Sequence, residues 1–80
     1  MNKEVGDTIR ELRKEKHLSQ EKLADAIDSH QVYISEIEKG IKLPSLIIIN
    51  NIAKAFDVSL TYFISRVEKK LEKSDMQEND

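Results

Sequence analysis

An all-α fold of five short helices is what this sequence predicts, and three observations predict it. Apolar residues recur three and four apart along nearly the whole chain, the pattern of amphipathic helices. Glycine and proline are confined to Gly6, Gly40 and Pro44, too few breakers for a turn-rich β fold. Serines stand just ahead of several apolar periods, where a helix N-terminus needs a side-chain acceptor for its unpaired N–H groups.

Val5, Ile9 and Leu12 place the first helix from about Lys3 to Lys16, with His17 and Leu18 as the break. Ser19 then caps a second helix that runs to about Ile27. Leu23, Ala24 and Ile27 face inward, and Glu21 near its start suits the positive end of the helix dipole. Asp28, Ser29 and His30 make a short turn. A third helix spans Gln31 to Lys39, with Ile34 and Ile37 on one face. Gly40 sits where a left-handed C-terminal cap is wanted, and Pro44 prevents continuation. Ser45 caps a fourth helix, Leu46 to Phe56, whose inner stripe is Leu46, Ile49, Ile52, Ala53 and Phe56. Ser59 caps a fifth, Leu60 to about Lys73, on which Leu60, Phe63, Ile64, Val67 and Leu71 recur. Residues 1–73 thus read as one domain, and the polar, acidic residues 74–80 as a disordered tail.

Composition excludes several function classes. An 80-residue chain makes one small domain with no room for a cleft between lobes. Cysteine is absent, so no disulfide framework or thiolate metal site is possible. The longest apolar run, Leu46 to Ile49, is far short of a membrane span, and charge from Lys3 onward argues against a signal peptide. A cytoplasmic protein is expected. His17 and His30 have no carboxylate or thiol at ligand spacing, so no metal is expected. Ser19, Ser45 and Ser59 read as caps rather than nucleophiles, and Glu36 and Glu38, two apart, point to different faces of a helix. Neither an enzyme nor a cofactor or small-molecule site is indicated. The formal charge of −2 is unlike the basic excess common in nucleic-acid binders, so the position of the charges matters more than their sum. Lys14, Lys16, Lys22, Lys39 and Lys42 gather in or beside one unit, and Asp75, Glu78 and Asp80 close the chain.

That unit is Leu18 to Gly40, two short helices joined by three residues, the arrangement in which a DNA-binding helix-turn-helix lays its second helix in the major groove. Ala24, Ile27, Ile34 and Ile37 are small or apolar where the helices must cross, and His30, Gln31, Tyr33 and Ser35 offer hydrogen bonds near the start of the second. The stretch resembles the Cro/C1-type (XRE) helix-turn-helix regulators. The resemblance rests on Arg13, Leu18-Ser19-Gln20-Glu21, Leu23-Ala24, Tyr33-Ile34-Ser35, Ile37-Glu38 and Gly40, and resumes at Pro44-Ser45, Ile52-Ala53, Phe56 and Val58-Ser59. It covers roughly residues 5–63 and implies a five-helix, lambda-repressor-like domain that regulates transcription by binding double-stranded DNA, as do restriction-modification controller proteins and small phage repressors. It further implies base reading by Gln31, Val32, Ser35 and Glu36, and phosphate contacts from Gln20, His30, Tyr33, Lys39 and Lys42. Glutamine suits adenine N6 and N7, valine a thymine methyl, and glutamate cytosine N4. The chain departs from the pattern at His17 and Asp28, where the family usually has glycine. Both residue types tolerate a left-handed backbone better than most.

Apolar residues exceed what a small core can hold. Leu46 to Ile49 are consecutive on a helix, each turned about 100° from the last, so they cannot all face inward. Ile47, Ile48, Ile64, Val67 and Leu71 are the expected dimer interface, placing two recognition helices about 34 Å apart on a palindromic site. The alternative is a protein-interaction module, antitoxin-like or partner-dependent, whose apolar stripe faces a different protein.

Overall fold

Three of the five helices start on a serine cap, and four stop at a left-handed residue. The computed structural model describes the backbone of residues 1–78 and the side chains of residues 1–73. Within it the order is α1 (Asn2–Glu15), α2 (Gln20–Ala26), α3 (Gln31–Glu38), α4 (Leu46–Ala55) and α5 (Leu60–Glu78), with no strand among the described residues. Three serines act as N-caps. The hydroxyl of Ser19 accepts from the Lys22 N–H at 3.0 Å, that of Ser45 from Ile48 at 3.2 Å and that of Ser59 from Tyr62 at 3.0 Å. Each cap satisfies an otherwise orphaned donor and is worth roughly 1 kcal/mol.

The C-terminal ends follow one pattern. His17, Asp28, Gly40 and Asp57 adopt φ of 57°, 59°, 78° and 58°, the left-handed region. After each, the next N–H reaches back to a carbonyl in the last turn: Leu18 to Arg13 at 2.9 Å, Ser29 to Ala24 at 2.8 Å, Ile41 to Glu36 at 2.9 Å and Val58 to Ala53 at 3.0 Å. This is the Schellman arrangement, which turns the chain sharply while satisfying terminal carbonyls. His17 and Asp28 therefore hold the conformation expected of them, and Asp57 holds it unforeseen.

The core gathers one stripe from every helix. Ile9, Leu23, Ile34, Ile37, Ile52 and Phe63 are fully enclosed. Burial of each large side chain contributes about 1.5–3 kcal/mol. Thr8 also lies inside, its hydroxyl donating to the Glu4 carbonyl at 2.8 Å, a bond that makes a buried polar group tolerable. The expected stripes need two corrections. Leu46, assigned inward, stands exposed, because the core begins one turn later at Ile49. Val67, assigned to an interface, is only 4% exposed and packs inside the protomer, with Leu71 half-buried against the same core. The fifth helix also continues past Lys73 to Glu78. The disorder expected of 74–80 concerns residues whose side chains lie outside the described part. No single helix among the described residues is long and apolar enough to cross a membrane.

Ion pairs fasten α5 to α1. Arg66 reaches Glu11 at 3.0 Å and Glu15 at 2.9 Å, Lys70 reaches Glu11 at 2.9 Å, and the Arg66 guanidinium stands over the Tyr62 ring. Partial burial works to raise the Glu11 carboxyl, but hydrogen bonds from Lys70 and Arg66 outweigh it and hold the group below its ordinary range. Both glutamates are engaged by α5, so this network ties the first and last helices together.

Where α1 crosses α3 the backbones nearly touch. A Cβ on Gly6 would lie 2.4 Å from the Ile37 carbonyl oxygen and 2.9 Å from that of Glu38. Alanine favours a helix over glycine by about 1 kcal/mol, yet here it forces the helices apart. Gly6→Ala is expected to lower stability by about 1–3 kcal/mol in denaturant unfolding. A variant as stable as the parent would show that the α1–α3 approach is not rigid.

Candidate nucleic-acid interface

The exposed face of α3 is held from behind by a buried carboxylate. Glu38, the last residue of α3, is 4% exposed. Arg13 of α1 grips it with two hydrogen bonds, Nε to Oε2 at 2.7 Å and Nη2 to Oε1 at 3.1 Å. The same guanidinium donates through Nη1 to the Leu18 carbonyl at 2.9 Å, in the turn before α2. Arg10 donates to the Glu38 carbonyl oxygen at 2.6 Å, closing an orphaned group at the end of α3. One side chain thus joins α1, the α1–α2 turn and α3. Gln20, first residue of α2, adds its Nε2 to Glu38 Oε1 at 3.1 Å.

In front of this support lies the start of α3. Gln31 is exposed, and its Nε2 donates to Oε1 of Gln20. Val32 is 65% exposed, an apolar side chain with no core duty. Ser35 and Glu36 follow one turn on and are half-buried. Glu36 does not stand alone: Lys42 lies 3.3 Å from its carboxylate and also 5.9 Å from the centre of the Tyr33 ring. Tyr33 is half-buried against the core, so only part of it faces outward. His30 occupies the N-cap position of α3 in extended backbone without a side-chain cap bond, and it is exposed, as is Lys39. The fold therefore gathers Gln20 with Gln31, and Glu36 with Lys42 and Tyr33, at one helix and its flanks.

The residues expected at an interface divide. Ile47 is 75% exposed and Ile64 40%, whereas Ile48 and Leu71 are half-buried and Val67 is internal. Leu43, Leu46 and Met1, which periodicity did not single out for this role, are exposed instead. A groove of about 230 Å³ opens nearby, with Met1, Leu43, Pro44, Ile64, Val67 and Leu71 in its walls. Sequence reasoning also gave Glu38 no role. An acidic residue at the end of an exposed helix reads as solvated unless the arginine twenty-five positions earlier is known to face it.

A helix-turn-helix family model matches residues 9–63, from the middle of α1 into the start of α5. The chain belongs to the XRE-type helix-turn-helix family. The ImmF control region 10 kDa protein of Bacillus phage phi105 is 40% identical over 58 residues, which are 72% of this chain and 64% of that protein. Control protein C.BamHI of Bacillus amyloliquefaciens is 46% identical over 54 residues, 66% of this chain and 67% of that one. Among solved structures, the restriction-modification controller protein C.AhdI from Aeromonas hydrophila aligns with a TM-score of 0.74 at 34% identity, covering 78% of this chain and 90% of the other. In family terms α2 and α3 are the two helices of the motif, and the all-α, five-helix architecture is the family's own.

The Arg13–Glu38 pair supports the whole motif, and its removal should be felt globally. Arg13→Met keeps the packing stem but leaves the buried Glu38 carboxylate with only Arg10 at 3.7 Å and the Gln20 amide at 3.1 Å, at a cost of about 3 kcal/mol. Thermal unfolding followed by circular dichroism should show a large loss of stability. A shift of only a degree or two would mean that Glu38 finds water instead.

Proposed function

We propose that this chain is a sequence-specific regulator of transcription that binds double-stranded DNA as a cytoplasmic homodimer, with α3 of each copy in the major groove of one half of a palindromic operator. The observation that carries the reading is the start of α3, where Gln31 is presented on the surface with its amide braced by Gln20. Gln31, Val32, Ser35 and Glu36 read base edges, and Gln20, His30, Tyr33, Lys39 and Lys42 meet the backbone, since phosphate contacts fix register while base contacts specify. The ion pair between Glu36 and Lys42 supports a joint role: the lysine offsets a carboxylate that phosphates would otherwise repel. The net charge of −2 does not oppose this, because Lys39 and Lys42 flank α3 while Glu11 and Glu15 are engaged by α5.

A second copy is the favoured cover for the apolar surface around Leu43, Leu46, Ile47 and Ile64. Singly exposed apolar residues are ordinary, but a contiguous group of them marks an interaction site. Dimerisation coupled to DNA binding makes occupancy respond steeply to the protein's own concentration.

Selection of the purified protein against random duplexes is expected to enrich a palindrome with half-sites about one helical turn apart. Two lysines from each copy give a log–log salt slope of about −3.6, so affinity should fall roughly a hundredfold between 50 and 200 mM salt. Gln31→Ala should relax preference at one base pair of each half-site by about 1–3 kcal/mol. No enrichment at low salt, together with DNA-independent capture of another protein, would favour the rival reading of a protein-interaction module, which the apolar groove gives some weight.

Ile47→Asp tests the dimer. Its side chain makes no core contact, so circular dichroism should stay native while light scattering reports a monomer and operator affinity drops at least about tenfold. A variant that remains dimeric overturns the assignment of this surface.

A further inference from the structure

The basic residues of α5 all fall on one side of it. Arg66, Lys69, Lys70 and Lys73 recur with Tyr62 at three and four, and they line a groove of about 410 Å³ that α5 forms with Glu11 of α1. Glu68 and Glu72, the acidic residues of the same stretch, stand outside it. A chain of net charge −2 has set these cations apart on one strip of surface.

The strip is only partly neutralised. Glu11 and Glu15 engage Arg66 and Lys70 at 2.9–3.0 Å. Lys69 and Lys73 are exposed and have no ion pair with any described residue. What the groove already holds shows what it accepts. Arg66 presents its two terminal nitrogens to the two oxygens of Glu15 at 3.1 and 2.9 Å, the fork-to-fork match of guanidinium with carboxylate. Lys69 and Lys73 are one turn apart, roughly 6 Å at Cβ, close to the spacing of about 6.6 Å between alternate side chains of an extended strand. Tyr62 is 46% exposed and adds an apolar wall near one end. From Tyr62 to Lys73 the strip runs about 16 Å, the reach of about five extended residues.

The first helix separates this groove from α3. Gly6 and Arg13 meet α3, whereas Glu11 and Glu15 each lie two positions from Arg13 and so about 200° round the helix. A duplex held against α3 leaves the groove open, and its occupant has to come from elsewhere.

We propose that the α1–α5 groove docks an acidic, extended segment of a partner protein, with Lys69 and Lys73 taking carboxylates two residues apart and Tyr62 flanking them. That the groove stays available on DNA rests on the reading of α3 as the DNA-facing helix; the docking itself does not. A regulator built this way holds its operator with one face and a second protein with another.

The probe is a fluorescein-labelled peptide of alternating glutamate and serine, about eight residues long so that it spans the strip. It is titrated into the full chain at low salt, with glutamine in place of glutamate as the control. Amide shifts in NMR spectra should cluster at Glu11, Glu15 and residues 62–73 and leave α3 unmoved, and the glutamine peptide should cause none. Joint replacement by Lys69→Ala and Lys73→Ala should weaken peptide binding about fivefold or more, since each exposed pair contributes modestly. Melting temperature and duplex affinity should stay near the parent's, because alanine suits a helix and neither lysine bears on α3. Protein saturated with the enriched duplex should bind the peptide as the free chain does. Shifts centred on Lys39 and Lys42, a double variant that keeps the parent's peptide affinity, or displacement of the peptide by the duplex overturns the proposal. A double variant that loses duplex affinity instead makes the strip a DNA contact, which overturns it too. A chain that binds no duplex yet shows the expected shifts overturns the DNA-binding reading and supports the groove.

Discussion

The contact between Arg13 and Glu38 is the constraint on which the rest of this molecule depends. Apolar packing alone would hold α1, α2 and α3 together, since Leu23, Ala24, Ile34 and Ile37 fill the space between them. Such packing is forgiving: aliphatic side chains can slide past one another at little cost. A guanidinium fork that must meet a carboxylate and the Leu18 carbonyl at once is not forgiving. Taking both charges out of water is expensive, so the pair adds less to net stability than its bond lengths suggest. What it adds is a single permitted arrangement of three elements, and the face of α3 inherits that arrangement.

Gly6 enforces the same arrangement from the other side. With no Cβ to intervene, α1 settles directly on the carbonyls of Ile37 and Glu38, which brings Arg10 within reach of the end of α3. Close approach and charge pairing are thus one feature seen twice.

Much of this was legible in the sequence because it is local. Ser19, Ser45 and Ser59 announce helix starts through a bond spanning three residues, and His17, Asp28 and Gly40 announce stops through a backbone preference of one residue. The candidate reading residues were named from the family resemblance, which carries positions along α3 onto this chain one residue at a time. What depends on distant partners was not legible. Leu46 and Ile49 are three apart on α4 and identical in character to a periodicity argument, yet only Ile49 meets a neighbouring helix. Val67 looked surplus because the number of residues a core can absorb depends on how long α5 lies against α1 and α4. Glu38 drew no structural role because nothing nearby in the chain is its partner; Arg13 lies twenty-five positions earlier.

The exposure of Val32 has a consequence for how such a protein can change over time. Its side chain bears no structural duty, so substitutions there leave the scaffold untouched and alter only what the helix presents. Gln31 is different: it is tied to Gln20, which is tied to Glu38, so a change at one site sets new demands on the other two. A lineage built on this fold can therefore drift quickly at position 32 while position 31 stays fixed for long periods, released only when several residues change together.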